Sequence, residues 1–240
     1  MKVLAFDTSN RPMSVALLND DQVVAKQTTA TQLNHSVQLM PTISALMAEQ
    51  GWRPQDLDRV VVADGPGSYT GLRIAVTTAK TLAATLSLEL VGVSSLAVIA
   101  AGAPATEQLI SPIFDARNTQ LYAGVYRLID GQLTSVVADQ HTDIASWQTT
   151  LHQLGEPVTL IGETSRYQTT LDEALGDQVT YVSGDANLPD AGRLGLLARH
   201  LPPVQDVDQF IPNYLRLSPA EAQWAAAHPG EKHTDYVEEV

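Results

Sequence analysis

The chain has 240 residues, 44% hydrophobic and 17% charged, with 27 acidic against 14 basic side chains and a formal net charge of −13. That length and apolar content suit one or two globular domains with a real core, and the lack of cysteine excludes disulfides, thiolate catalysis and thiolate metal sites. No apolar run approaches the ~18 residues of a membrane span, and Asp7 interrupts "MKVLAFDTSN" too early for a secretory signal, so a cytoplasmic protein without membrane contact is expected.

In chain order, "KVLAFDT", "MSVALLN" and "QVVAKQT" read as three strands, the last two joined by a hairpin turn at Asp20-Asp21. Asn34 or Ser36 can cap a helix carrying Leu39, Ile43, Leu46 and Met47 at helical spacing, stopped at Gly51. The strand "RVVVAD" leads into the loop "GPGSYTG", then a helix from about Thr70 to Leu86, the strand "ELVGVS" and the small helix "SLAVIAAGA". The second half repeats this order. "SPIFDARNTQLYAGVYRLIDGQLTSVV" lies over "KVLAFDTSNRPMSVALLNDDQVVAKQ", matching Phe114-Asp115 to Phe6-Asp7 and Asn118 to Asn10, with a two-residue insertion expected in the turn at Asp130-Gly131. A helix near Ile144–Leu154, the strand "VTLIGE", a helix near Tyr167–Leu175, the strand "QVTYVS" and a helix near Gly192–His200 follow. Two βββαβαβα halves describe the duplicated actin-like (ASKHA, ribonuclease H-like) α/β fold. The expected division is 1–105, 106–219 and an acidic tail over 220–240.

The loop from Gly65 to Gly71 admits two readings. Backbone N–H groups at the following helix start would welcome a phosphate, with Asp7, Thr8 and Ser9 at the end of the first strand and Gly65, Gly67 and Ser68 around it. Alternatively the glycines only serve a tight strand-to-helix crossover, since no Walker lysine follows. The next helix is distinctive in another way: between Ile74 and Leu88 its only charged residue is Lys80. A helix apolar on most sides must be buried on most sides. The preceding helix adds Met40 and Met47, so the pair points to a partner surface, or else to a core that closes over both. The histidines are scattered, no nucleophile motif occurs, and no two basic residues are adjacent. Alone, the chain is expected to bind tRNA or other nucleic acid poorly.

"GPGSYTGLR" followed by "VTTAKTLA" resembles the bacterial TsaB (YeaZ) family, as do "FDTS", "HSVQLMP", "DARNTQLYAGVY" and "PNYLRLSPAE". The resemblance implies a noncatalytic, actin-like subunit of the machinery that forms N6-threonylcarbamoyladenosine in tRNA beside the anticodon. It implies pairing with a metal-bearing catalytic homologue, TsaD, attachment of an ATPase, TsaE, and homodimers through the same surface when the partner is absent. The metal motif H-x-x-x-H of TsaD falls at about Ser95 and Ile99 here, so no metal or cofactor is expected in the isolated chain. A nucleotide at the partner interface stays open. The expected contact residues are Met40, Ile43, Met47, Leu72, Ile74, Val76, Thr78 and Leu82. The rival readings are an actin-fold small-molecule kinase using Asp7 and the cleft, for which "LIGETSRY" offers only Gly162 near an adenosine, and a glycoprotease-like metallopeptidase.

Overall fold

A computed structural model describes residues 1–29, 34–104 and 107–216, so the tail over 220–240 lies outside the described residues. The first half opens with β1 (Lys2–Asp7), β2 (Met13–Asn19) and β3 (Gln22–Thr29), paired antiparallel in sequence order. Then come α1 (His35–Glu49), β4 (Arg59–Gly65), α2 (Tyr69–Leu86), β5 (Glu89–Ser94) and α3 (Ser95–Ala100). The second half contains β6 (Leu109–Asp115), β7 (Gln120–Ile129), β8 (Gln132–Asp143), α4 (Ile144–Leu154), β9 (Val158–Gly162), α5 (Gln168–Leu175), β10 (Val179–Tyr181) and α6 (Ala191–Leu197). The strand orders are β3-β2-β1-β4-β5 and β10-β9-β6-β7-β8, the same order read from opposite ends. The duplicated actin-like fold is therefore present in topology as well as in sequence pattern.

One detail of the repeat differs from expectation. Asp20 and Asp130 occupy equivalent left-handed positions, φ 52° and 50°, in two-residue turns of the same kind. The turn at Asp130-Gly131 joins the pair Ile129↔Gln132 just as Asp20-Asp21 joins Asn19↔Gln22. The extra length lies instead in β7, whose pairing with β8 shifts between Ala123 and Tyr126. The surplus residues of those shifts lie on β8, and β7 itself is longer than β2, ten residues against seven, so the strands lengthen around an unchanged turn.

Each central strand is apolar on both faces because helices cover both. On one side of the first sheet, Leu39, Ile43 and Met47 of α1 and Ala75 and Ala79 of α2 meet Leu4, Phe6 and Val62. On the other side, Ala191, Leu194 and Ala198 meet Val3, Ala5 and Val61. The helix there is α6, contributed by the second half. Conversely, Leu96 and Ile99 of α3 pack with Ile110, Phe114 and Ile161 of the second sheet, whose far face holds Trp147, Leu151 and Leu171. The closing helix of the second half thus lies against the first sheet, while α3 sits between the two sheets, with Val98 in the first-sheet cluster.

The boundaries expected at residues 105 and 219 both lie outside the described residues, and the packing among the described residues is shared between the halves. From Asp190 onward the chain returns to the first half: Lys26 pairs with Asp190 at 2.6 Å, and Val204, Val207 and Phe210 lie against the first core. The Val204 amide donates to the Leu90 carbonyl at 2.8 Å, and the Asn213 amide to the Asp64 carbonyl at 2.8 Å.

Candidate functional site

The glycine loop sits directly on the end of β1. The Ser68 amide donates to the Ser9 carbonyl at 2.6 Å, and the Thr8 hydroxyl donates to the Gly71 carbonyl at 2.7 Å. A side chain at Gly67 would collide with the Ser9 carbonyl, and one at Gly71 with the Thr8 carbonyl, each well inside the 3.0 Å limit for real Cβ contacts. At Gly65 the backbone has φ +134° and the Asn213 carbonyl is the obstacle. Ser68 caps α2, its hydroxyl accepting from the Gly71 amide at 3.4 Å. Asp7, Thr8 and Ser9 are completely buried beneath this layer. One Asp7 oxygen accepts from the Ser9 amide at 2.7 Å, and burial raises the Asp7 pKa above the usual carboxylate range. The close approach of the loop to Thr8 and Ser9 is the packing that a tight strand-to-helix crossover through Asp7, Thr8, Ser9, Gly65, Gly67 and Ser68 requires. The glycines allow two backbone segments to touch.

The two helices resolve the contact residues into two groups. Ile43, Met47, Leu72 and Val76 are at most 5% exposed and point into this chain's own core, so as contact residues they are corrected to core residues. A helix on a sheet turns its most apolar stripe inward. Met40 is 44% exposed, and Ile74, Thr78 and Leu82 are half-buried along the rim of the helix. Exposed neighbours that hydrophobicity did not single out complete this face: Val37, 63% exposed, with Pro41, Ser44, Thr77 and Thr81. From Ser36 to Ala48 α1 carries no charged residue, and the outward face of α2 after Arg73 carries none up to Leu86 except Lys80. Lys80 is turned to the Asp208 carbonyl at 2.7 Å. The signal is a lack of charge rather than a surplus of grease.

A polar cluster that the sequence reading missed closes the cleft between the sheets. The Tyr126 hydroxyl donates to Asp139 at 2.5 Å, and the Ser94 hydroxyl donates to the other oxygen of the same carboxylate. Asp64, at the end of β4, lies close enough for the Asp139 charge to act on it; burial is the larger cause lifting its pKa to about 6. Burial also raises Asp139, against the pull of its two hydroxyl donors. Gly92 is packed against Asp64 and the Phe210 ring. Two carboxylates from opposite halves thus share a largely water-excluded cleft, where both cannot comfortably carry charge.

The positions that the rival readings need are occupied by packing. Gly162, φ +97°, backs onto the Ile113 carbonyl with no room for a Cβ. Ile99 is fully buried among Ile110, Phe114 and Ile161, and Ser95 beside it is fully buried too. Among the described residues no three His, Asp or Glu side chains converge as a metal site would require.

Two sheets of matching strand order, each flanked by helices, define a duplicated actin-like chain. A family model described as "TsaD: tRNA N6-adenosine threonylcarbamoyltransferase" matches residues 22–224. The chain is 42% identical to the tRNA threonylcarbamoyladenosine biosynthesis protein TsaB of Bacillus subtilis, over 93% of this chain and 98% of that one. It is 28% identical to the Escherichia coli protein of the same name, covering 86% and 84% of the two chains. The crystal structure of YeaZ from Pseudomonas aeruginosa superposes with a TM-score of 0.75 at 25% identity, covering 89% of this chain and 99% of that chain. The chain belongs to the TsaB (YeaZ) family.

Proposed function

We propose that this chain is a noncatalytic subunit in the formation of N6-threonylcarbamoyladenosine in tRNA, activating a TsaD-type catalytic subunit by pairing with it through the α1/α2 face. Family membership supports a part in threonylcarbamoyladenosine biosynthesis. The observation that carries the pairing is the nearly uncharged surface made by the exposed Val37, Met40 and Thr77 with the half-buried Ile74, in a chain of net charge −13. Patches of that kind mark protein contacts. The noncatalytic role is supported by Ser95 and Ile99, which sit in the core where the resemblance puts metal-binding histidines. A TsaE-type ATPase joins the assembled pair, and without a partner the same face closes on a second copy.

The test is size-exclusion chromatography of Met40→Glu and Ile74→Glu with the TsaD-type subunit, alongside thermal melting of the free chains. An unpaired charge buried at a contact costs about 3 kcal/mol or more, over 100-fold in Kd. Co-elution should be lost while the melting temperature of Met40→Glu stays at the parent's value. Variants that co-elute fully would sink the assignment of this face.

A further inference from the structure

Ten arginines occur in the sequence, and six of them make ion pairs with carboxylates: Arg53, Arg59, Arg127, Arg166, Arg193 and Arg199. The other four, Arg11, Arg73, Arg117 and Arg216, are all exposed and make no ion pair among the described residues. They are not scattered. Arg216 donates to the Ala116 carbonyl at 3.4 Å, beside Arg117. Two residues before it, Tyr214 stacks on Tyr69 with ring centroids 4.9 Å apart. The Arg73 guanidinium lies over the Tyr69 ring, 5.5 Å from its centroid. Arg11 flanks the same β6–β7 region, where its charge acts on Glu163 and Glu163 in turn accepts from the Asp115 amide at 2.8 Å.

This strip borders the pairing face. Arg73 is in the first turns of α2, and Asn10, next to Arg11, touches His35 at the start of α1 at 3.0 Å. An acidic protein repels polyanions, so four arginines without ion pairs, Arg73 at the exposed Tyr69, Arg216 two residues from the exposed Tyr214, Arg117 beside the carbonyl that Arg216 reaches and Arg11 near Glu163, are a local exception with a specific use. Guanidinium groups bind phosphate in a fork, and aromatic rings beside them receive unstacked bases.

We propose that the strip of Arg11, Arg73, Arg117 and Arg216 with Tyr69 and Tyr214 contacts the phosphate backbone of the tRNA held by the paired subunits, extending the partner's RNA surface onto this chain. The inference rests on the pairing reading above. Four phosphate contacts against a net charge of −13 are too few for the chain alone, but they add to a partner already bound to RNA.

The experiment measures tRNA binding by the assembled complex across a salt series, for the parent, for Arg117→Gln/Arg216→Gln, and for Arg53→Gln/Arg199→Gln as a control on paired arginines elsewhere. Each lost phosphate contact reduces the slope of log K against log salt by about 0.7 to 0.9, so the strip variant should lose roughly 1.5 in slope and roughly 10- to 30-fold in affinity at 0.15 M salt. The control should keep the parent slope, and both variants should co-elute with the partner like the parent. An unchanged slope in a co-eluting strip variant overturns the inference and leaves pairing intact. A parent chain that does not co-elute overturns the pairing and the inference with it. Titration with ATP separates nucleotide phosphate from RNA: altered ATP affinity with an unaltered tRNA slope also overturns the RNA assignment.

Discussion

Replacing Gly71 by alanine separates the two readings of the glycine loop. Gly71 is helical, so the intrinsic effect of alanine is favourable by about 1 kcal/mol. Against it stands the Thr8 carbonyl, which the new Cβ would overlap far inside the 3.0 Å limit, and that obstacle is backbone rather than a flexible side chain. The start of α2 and the end of β1 must therefore move apart by about an ångström or more, far enough to break good hydrogen-bond geometry. Two contacts are lost together, the Thr8 hydroxyl to the Gly71 carbonyl at 2.7 Å and the Ser68 amide to the Ser9 carbonyl at 2.6 Å. Each buried group left without a partner costs about 1–3 kcal/mol. Collision outweighs propensity, and the net loss should be about 2–4 kcal/mol. Urea unfolding followed by tryptophan fluorescence and far-UV dichroism measures it. Were the loop an open phosphate cradle, the variant would be as stable as the parent or more so, with only ligand binding affected. That outcome would refute the packing account.

Asp64→Asn tests the cleft. A carboxyl whose folded-state pKa is raised to about 6 contributes stability that is complete below the unfolded pKa near 4 and lost as pH rises through 6, amounting to about 3 kcal/mol at neutral pH. The asparagine variant should therefore match the parent near pH 4 and exceed it at pH 8, read from urea midpoints; a difference that does not grow with pH contradicts the assigned burial. Asp143 caps α4, accepting from the Ser146 amide at 3.0 Å and the Ser146 hydroxyl at 2.8 Å. Asp143→Ala should lower stability by about 1 kcal/mol without altering co-elution with the partner. Met47→Glu, by contrast with Met40→Glu, places a charge in the first core and should leave little folded chain, seen as loss of the cooperative melting transition.

Much of the architecture was legible because strand alternation, turn residues and helix spacing agree in both halves. The helix at Ile144–Leu154 and the strand at Glu89–Ser94 fall where the pattern puts them. Which side chains of α1 and α2 stay exposed was only half legible. Hydrophobicity marks Ile43, Met47, Leu72 and Val76, yet these serve the sheet; Val37, Pro41 and Thr77 escape notice because small uncharged residues carry little pattern. Pairings distant in sequence were hidden altogether. Nothing local to Asp64 says that Asp139 faces it, and nothing in "ADGPGSYTG" says that the Thr8 and Ser9 carbonyls press on its glycines. The missed packing of α6 has the same origin, since a repeat predicts which elements exist but not which sheet each one covers.

The return of α6 to the first sheet has a consequence for synthesis on the ribosome. The face of the first sheet formed by Val3, Ala5 and Val61 is covered by Ala191, Leu194 and Ala198 together with Val98 of α3. Its last strand ends at Ser94, whereas α6 begins at Ala191. At elongation speeds of about 5–20 residues per second, that sheet waits roughly 5–20 s with one greasy side covered by little more than α3. During this interval a nascent chain is open to chaperones, to aggregation or to provisional cover by its own unfinished second half.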